Sequence, residues 1–95
     1  LNGEDTLKSI TLSNENNLEV DGLFIAIGYI PESDIFKDIV KIDKKGFIKS
    51  NDTKTNVDNI FVAGDIRTKD LRQLITAASD GAEAIHNALD YLNNN

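Results

Sequence analysis

The chain has 95 residues, a formal net charge of −6 from ten Lys and Arg against sixteen Asp and Glu, and no cysteine. That length allows one small domain with a modest core. The acidic balance disfavours nucleic acid and anionic membranes as partners, and the lack of cysteine excludes a disulfide framework, a thiolate metal site and dithiol chemistry within the chain.

The first residue is Leu1 and the pattern opens in mid-element, so a piece of something longer is expected. No secretory h-region or apolar spanning stretch is present, which makes a soluble cytoplasmic protein the default expectation. From residue 7 the pattern is β. Ile10 and Leu12 alternate with polar neighbours, residues 13–17 have turn chemistry, and Leu18 and Val20 resume the alternation, which predicts an antiparallel hairpin. Residues 23–27, Leu-Phe-Ile-Ala-Ile, read as a strand covered on both faces. Gly28-Tyr29-Ile30-Pro31 ends it, as a chain crossing or an ordinary loop, because Pro31 has no N–H and biases Ile30 to extended geometry.

Between 32 and 50 the signals are shorter. Ile35, Phe36, Ile39 and Val40 have helical spacing over one short element, and Ile42, Phe47 and Ile48 flank the turn Asp43-Lys44-Lys45-Gly46, which predicts a small hairpin. The charges at Lys37, Asp38, Lys41, Asp43, Lys44 and Lys45 read as a solvated surface.

Residues 55–73, TNVDNIFVAGDIRTKDLRQ, combine an apolar run, a glycine, an acid and a helix start. The run Ile60-Phe61-Val62-Ala63 predicts a buried strand entering a turn at Gly64-Asp65. An acid at the carboxyl end of such a strand stands where open α/β sheets hold ligands. Gly64, without a Cβ, permits close approach, and Asp65 can accept bonds from a ribose or ribitol hydroxyl. Beyond it, Leu71, Leu74, Ile75, Ala78, Ala82, Ile85, Leu89 and Leu92 mark one face of a long helix. Asp70 with Gln73 predicts a capping box and a start at Asp70 or Leu71. Gly81 with Ala77, Ala78 and Ala82 predicts a smooth face for close helix-on-sheet packing, and His86 has no partner at ligand spacing and receives no role.

Thr55 and the run Phe61-Val62-Ala63-Gly64-Asp65 resemble the second flavin-binding motif of the pyridine-nucleotide disulfide oxidoreductases. Arg72-Gln73, then Ile75-Thr76-Ala77-Ala78 and Asp80-Gly81, are similar to the low-molecular-weight thioredoxin reductases in particular. The resemblance spans about 3 to 92 and covers the last third of such a protein. It departs at Asp58-Asn59, where Pro-Gly is frequent, at Leu74, where alanine is usual, and at Ser79, where glycine is often found.

The resemblance implies an α/β fold (α+β as a fragment): a β-hairpin and short strands plus one long C-terminal helix, a piece of the two-domain FAD/NAD(P)-binding architecture. Residues 1–28 would close the NAD(P)-binding domain and 29–95 would form the C-terminal part of the FAD-binding domain, with Gly28 a hinge candidate between them. Gly64 and Asp65 would meet the ribityl chain of FAD, and Arg72, Gln73 and Leu74 would line the isoalloxazine. For Arg72 the alternative is a surface ion pair with Asp70 or Asp80.

Some pieces of such an enzyme are not in this sequence. Glycines at 3, 22, 28, 46, 64 and 81 make no Gly-x-Gly-x-x-Gly, and the redox cysteine pair is missing. The chain is therefore expected to supply flavin contacts and no catalytic or metal-binding residue. The parent would pass electrons from NADPH through FAD to a cysteine pair and thioredoxin, as a homodimer. Two alternatives stay open: a related reductase of the peroxiredoxin-reducing or ferredoxin-NADP type, and a non-catalytic interaction domain.

Overall fold

The computed structural model describes residues 1–94. Its fold is a small mixed α/β arrangement: a three-stranded antiparallel sheet, a region of turns and single-residue bridges, and one long helix. The strands are β1 (Asn2–Gly3), β2 (Leu7–Thr11) and β3 (Asn17–Glu19), in the order β1-β2-β3.

The predicted hairpin is present as β2 and β3. Ile10 pairs with Leu18, and Thr11 with Asn17, so the apolar positions of both strands fall opposite one another. Two features fix the turn. Asn14 accepts the Asn16 N–H at 3.1 Å through its side chain, and Glu15 takes a positive φ of 67°. Polar side chains lace the sheet on one side: Asn2 donates to Ser9 and Thr11, and Thr11 to Asn17.

Residues 21–30 follow as an exposed extended segment. The strand expected at 23–27 does not form: Phe24 is 99% exposed and no ladder partner lies beside it among the described residues. An apolar run becomes a buried strand only where neighbours complete its hydrogen bonds and cover its faces. Gly28, at φ 100° with open space around it, turns the chain here. Among the described residues the hydrogen bonds fall within 1–20 or within 31–94, and the molecule is drawn out to 62 × 27 × 24 Å. Its radius of gyration, 19.6 Å, exceeds the value of about 12 Å for a compact chain of this length.

The core lies in the second part. Val40, Ile48 and Val62 are buried, with Ile42, Val57, Ile60 and Ile66 packed around them. The backbone there is tied by isolated bridges: Ile42 with Ile48, Ile48 with Arg67, and Lys54 with Phe61. The expected hairpin at 42–48 is thus a single bridge closed by the Asp43 turn. That turn is built, and not merely solvated, because the Asp43 carboxylate accepts the N–H groups of Lys45 and Phe47, both at 2.9 Å. The short helical element is a single 3₁₀ turn, Asp34–Phe36. Residues 60–63 are also not a strand, since one isolated bridge, Lys54 with Phe61, meets them, although Val62 is buried as expected.

Helix α1 spans Leu74–Asn93 and begins later than the Asp70-Gln73 spacing implies. Gln73 is the N-cap, and its N–H donates to the Thr76 hydroxyl at 3.0 Å, so Thr76 performs the reciprocal role expected of Gln73. The helix also presents an unexpected face. Ala77, Asp80, Ala84, Asn87 and Tyr91 turn inward, whereas the apolar stripe from Leu74 to Leu92 points outward, with Leu74 89% exposed. Nothing lies within 4 Å of a Cβ built on Gly81, so the close packing expected there is not observed. Instead polar ties hold α1, among them Asp80 to the Gly64 N–H and Asn87 to the fully buried Thr53 at 2.8 Å. An edge-on contact of Phe61 with Tyr91 adds to them.

Candidate functional site

The turn from Gly64 to Gln73 joins the core to α1 and holds the motif residues. Gly64 has φ 88°, a conformation that a residue with a side chain adopts only with strain. Its N–H points at α1 and donates to Asp80 Oδ2 at 2.9 Å. Asp80 is the centre of a buried cluster. Arg67 reaches it through Nε to Oδ2 at 2.7 Å and Nη2 to Oδ1 at 2.8 Å, and Lys69 Nζ reaches Oδ2 at 2.8 Å. The Arg67 bonds and, secondarily, those of Lys69 and Gly64 hold the Asp80 carboxyl far below the usual carboxylate range, against the opposing effect of burial. Asp80 in turn raises the Arg67 pKa.

Arg72 closes the turn from the other side. Its Nε donates to the Asp65 carbonyl at 3.0 Å and its Nη2 to the Arg67 carbonyl at 2.9 Å, while the guanidinium lies 3.8 Å from the centre of the Phe47 ring. The ion pair considered for Arg72 is therefore not made. Asp80 is already occupied by Arg67 and Lys69, and the Arg72 fork fits two carbonyls and an aromatic face.

The five residues singled out in the sequence are brought together in two groups. Asp65 and Arg72 line one cleft of about 220 Å³ with Tyr29, Ile30, Pro31, Glu32, Phe47 and Ile66. Gly64 stands directly behind Asp65, on the α1 side. Gln73 and Leu74 follow Arg72 at the helix start, and both are exposed. Asp65 is exposed too, and its carboxylate accepts no hydrogen bond among the described residues. The chemistry available is that of an exposed acceptor beside a fixed guanidinium and a helix start, suited to holding hydroxyls and polar edges of a ligand. Among the described residues there is no group of three or more His, Cys, Asp or Glu placed to hold a metal ion, and no helix long and apolar enough to cross a membrane.

Arg67, Lys69 and the buried role of Asp80 were not foreseen from sequence. A signal for Asp80 exists. It shares a helical face with Ala77, Ala84 and Asn87, so an inward acid in need of a cation could have been read from the period.

Residues 1–88 match the family described as pyridine nucleotide-disulphide oxidoreductase, and the chain belongs to that family. It is 51% identical over 75 residues to the thioredoxin reductase of Peptoclostridium acidaminophilum, covering 78% of this chain and 24% of that protein. Against the thioredoxin reductase of Bacillus subtilis it is 40% identical over 91 residues, 95% of this chain and 29% of that one. A 34.2 kDa protein in the rubredoxin operon of Clostridium pasteurianum is also 40% identical, over 96 residues, 95% of this chain and 31% of that protein. The crystal structure of thioredoxin reductase from Streptococcus pyogenes superposes with a TM-score of 0.73 at 37% identity, over 84% of this chain and 26% of that chain. The chain thus spans about a quarter to a third of the length of the curated relatives it matches.

Proposed function

We propose that residues 1–95 are the C-terminal, flavin-contacting part of a thioredoxin reductase-like flavoprotein. The parent reduces thioredoxin with NADPH through FAD and a cysteine pair carried elsewhere in its sequence, and works as a cytoplasmic homodimer. Residues 1–28 end its NAD(P)-binding domain, and 29–95 belong to its FAD-binding domain. The observation that carries this reading is the pairing of Asp65 with Arg72 on one cleft, with the Asp65 carboxylate left available.

The residues present suit FAD by the chemistry of their donors and acceptors. Asp65 would accept from ribityl hydroxyls, and Gly64, without a side chain, would leave room for them. Gln73 offers an amide at a helix start, where peptide dipoles favour negative charge on a pyrimidine edge. Arg72 and Leu74 border the ring system, Arg72 by shaping the turn and Leu74 by its exposed apolar surface. FAD, when bound, supplies redox chemistry that no side chain of this cysteine-free chain can perform.

The identity of the electron acceptor is the finer part of the proposal. A relative described only by its place in a rubredoxin operon is as similar as the thioredoxin reductase of Bacillus subtilis, and a related flavoprotein reductase is kept as the second reading. The test is the flavin absorbance and NADPH–thioredoxin turnover of the full-length protein. A yellow, thioredoxin-reducing protein supports the first reading. A yellow protein inert to thioredoxin supports the second, and a colourless one leaves only a non-catalytic interaction domain.

A further inference from the structure

The turn at 64–67 is restrained from two directions. From α1, Asp80 takes the Gly64 N–H and both arms of the Arg67 guanidinium, and it also takes Lys69. From the cleft side, Arg72 takes the carbonyls of Asp65 and Arg67. What remains untied is the Asp65 side chain, which is exposed, lines the cleft and accepts no hydrogen bond among the described residues. A short turn tied at its amide, two carbonyls and a guanidinium has little freedom, so the backbone that carries Asp65 is placed at the cleft before any ligand arrives.

We propose that Asp80 is a positioning residue for the flavin site, acting through Gly64 and Arg67 to aim Asp65 into its cleft. This rests on the flavin reading given above. Asp80 touches no ligand in this account, and its effect is preorganisation: a carboxylate already aimed needs no ordering when a ligand binds. The arrangement of charges supports a specific role. Two cations converge on one acid that is 7% exposed, and all three side chains are largely removed from water. For anchoring alone, the neutral Asn87–Thr53 bond further along the same helix would serve, without the cost of burying charge.

The experiment uses the full-length flavoprotein containing this chain and four variants: Asp80→Asn, Arg67→Lys, Asn87→Ala and Asp65→Ala. FAD dissociation constants come from fluorescence titration of deflavinated protein, and melting temperatures are read in parallel. Asp80→Asn is expected to weaken FAD binding by about tenfold or more, the scale of a lost charge-assisted bond. Arg67→Lys, which keeps the charge and loses the two-armed grip, is expected to weaken it by a smaller factor and gives a readout even if Asp80→Asn fails to fold. Asn87→Ala lowers the melting temperature with FAD affinity unchanged within about twofold, since it unties the helix far from the turn. Equal FAD affinity in Asp80→Asn or Arg67→Lys and the wild type, or a loss in either that merely tracks melting temperature along the Asn87→Ala line, overturns the positioning role. If Asp65→Ala loses FAD while the Asp80 and Arg67 variants keep it, only the positioning role fails. If Asp65→Ala also retains FAD, the flavin reading of this turn fails with it.

Discussion

Arg67 and Asp80, thirteen residues apart in sequence, meet through two parallel bonds of 2.7 and 2.8 Å, and this pair joins the motif turn to the only long helix among the described residues. Parallel N–H···O bonds between a guanidinium and a carboxylate are among the stronger polar contacts in proteins. Removing Asp80 leaves the Arg67 guanidinium largely buried without its acid, whereas removing Arg67 leaves Asp80 held by Lys69 and the Gly64 N–H.

This pair gives the protein an acid-sensitive stability. The Asp80 carboxyl is depressed in the fold, so the unfolded chain binds the proton more readily. The stabilisation is then fully present above about pH 4 and is lost as pH falls through the depressed folded value. Thermal melts taken from neutral pH down into the acid range should show a falling limb that Asp80→Asn flattens. An identical limb in the variant would show that other carboxylates set it.

Gly64 is constrained by its backbone and not by crowding. A Cβ there would stand 4.0 Å from that of Ala77, an ordinary contact, while φ is 88°. Gly64→Ala should therefore cost about 1–2 kcal/mol, the strain of a left-handed residue, as measured by denaturant unfolding. A cost near zero would mean that the turn relaxes to another conformation.

The tie between Asn87 and Thr53 is buried at both ends. Thr53→Val leaves the Asn87 amide without its acceptor and should cost about 1–3 kcal/mol. A double-mutant cycle with Asn87→Leu should recover part of that loss. Additive losses would contradict a coupled pair.

Much of the first twenty residues was legible in the sequence because a hairpin is local: alternation at Ile10 and Leu18 and turn chemistry between them are enough. The motif turn was legible for a similar reason, since Gly64-Asp65 is defined within a few residues. What could not be read were features that depend on distant or missing neighbours. The runs at 23–27 and 60–63 have strand composition, yet an extended run becomes a strand only when paired. The face of α1 was assigned by its apolar stripe, but the buried side is the one carrying Asp80, Ala84 and Asn87, because polar ties and small side chains set the contact. For Arg72 the alternative to flavin contact was an ion pair with Asp70 or Asp80, and in place of that pair its fork meets backbone carbonyls.

The outward stripe of α1 and the exposed segment at 23–30 should make the isolated chain associate. Leu74, Ile75, Ile85, Leu89 and Leu92, with Ala78 and Ala82 between them, leave one side of the helix apolar and exposed. Sedimentation of the isolated chain should give a dimer or larger species, and Ile85→Lys with Leu89→Lys should shift it toward monomer. A wild-type monomer at high concentration would argue that the stripe is tolerated in water.

The central claim is that Asp65 holds the flavin. On that proposal, Asp65→Ala in the full-length protein takes away an acceptor for a ribityl hydroxyl and should weaken FAD retention by about 1.5–3 kcal/mol, roughly ten- to a hundredfold. The measurement is flavin stoichiometry after exhaustive dialysis, with the dissociation constant from fluorescence titration of the deflavinated variant beside the wild type. The account predicts a substoichiometric variant with the thermal stability of the flavin-free protein unchanged. Full retention of FAD at wild-type affinity would contradict it.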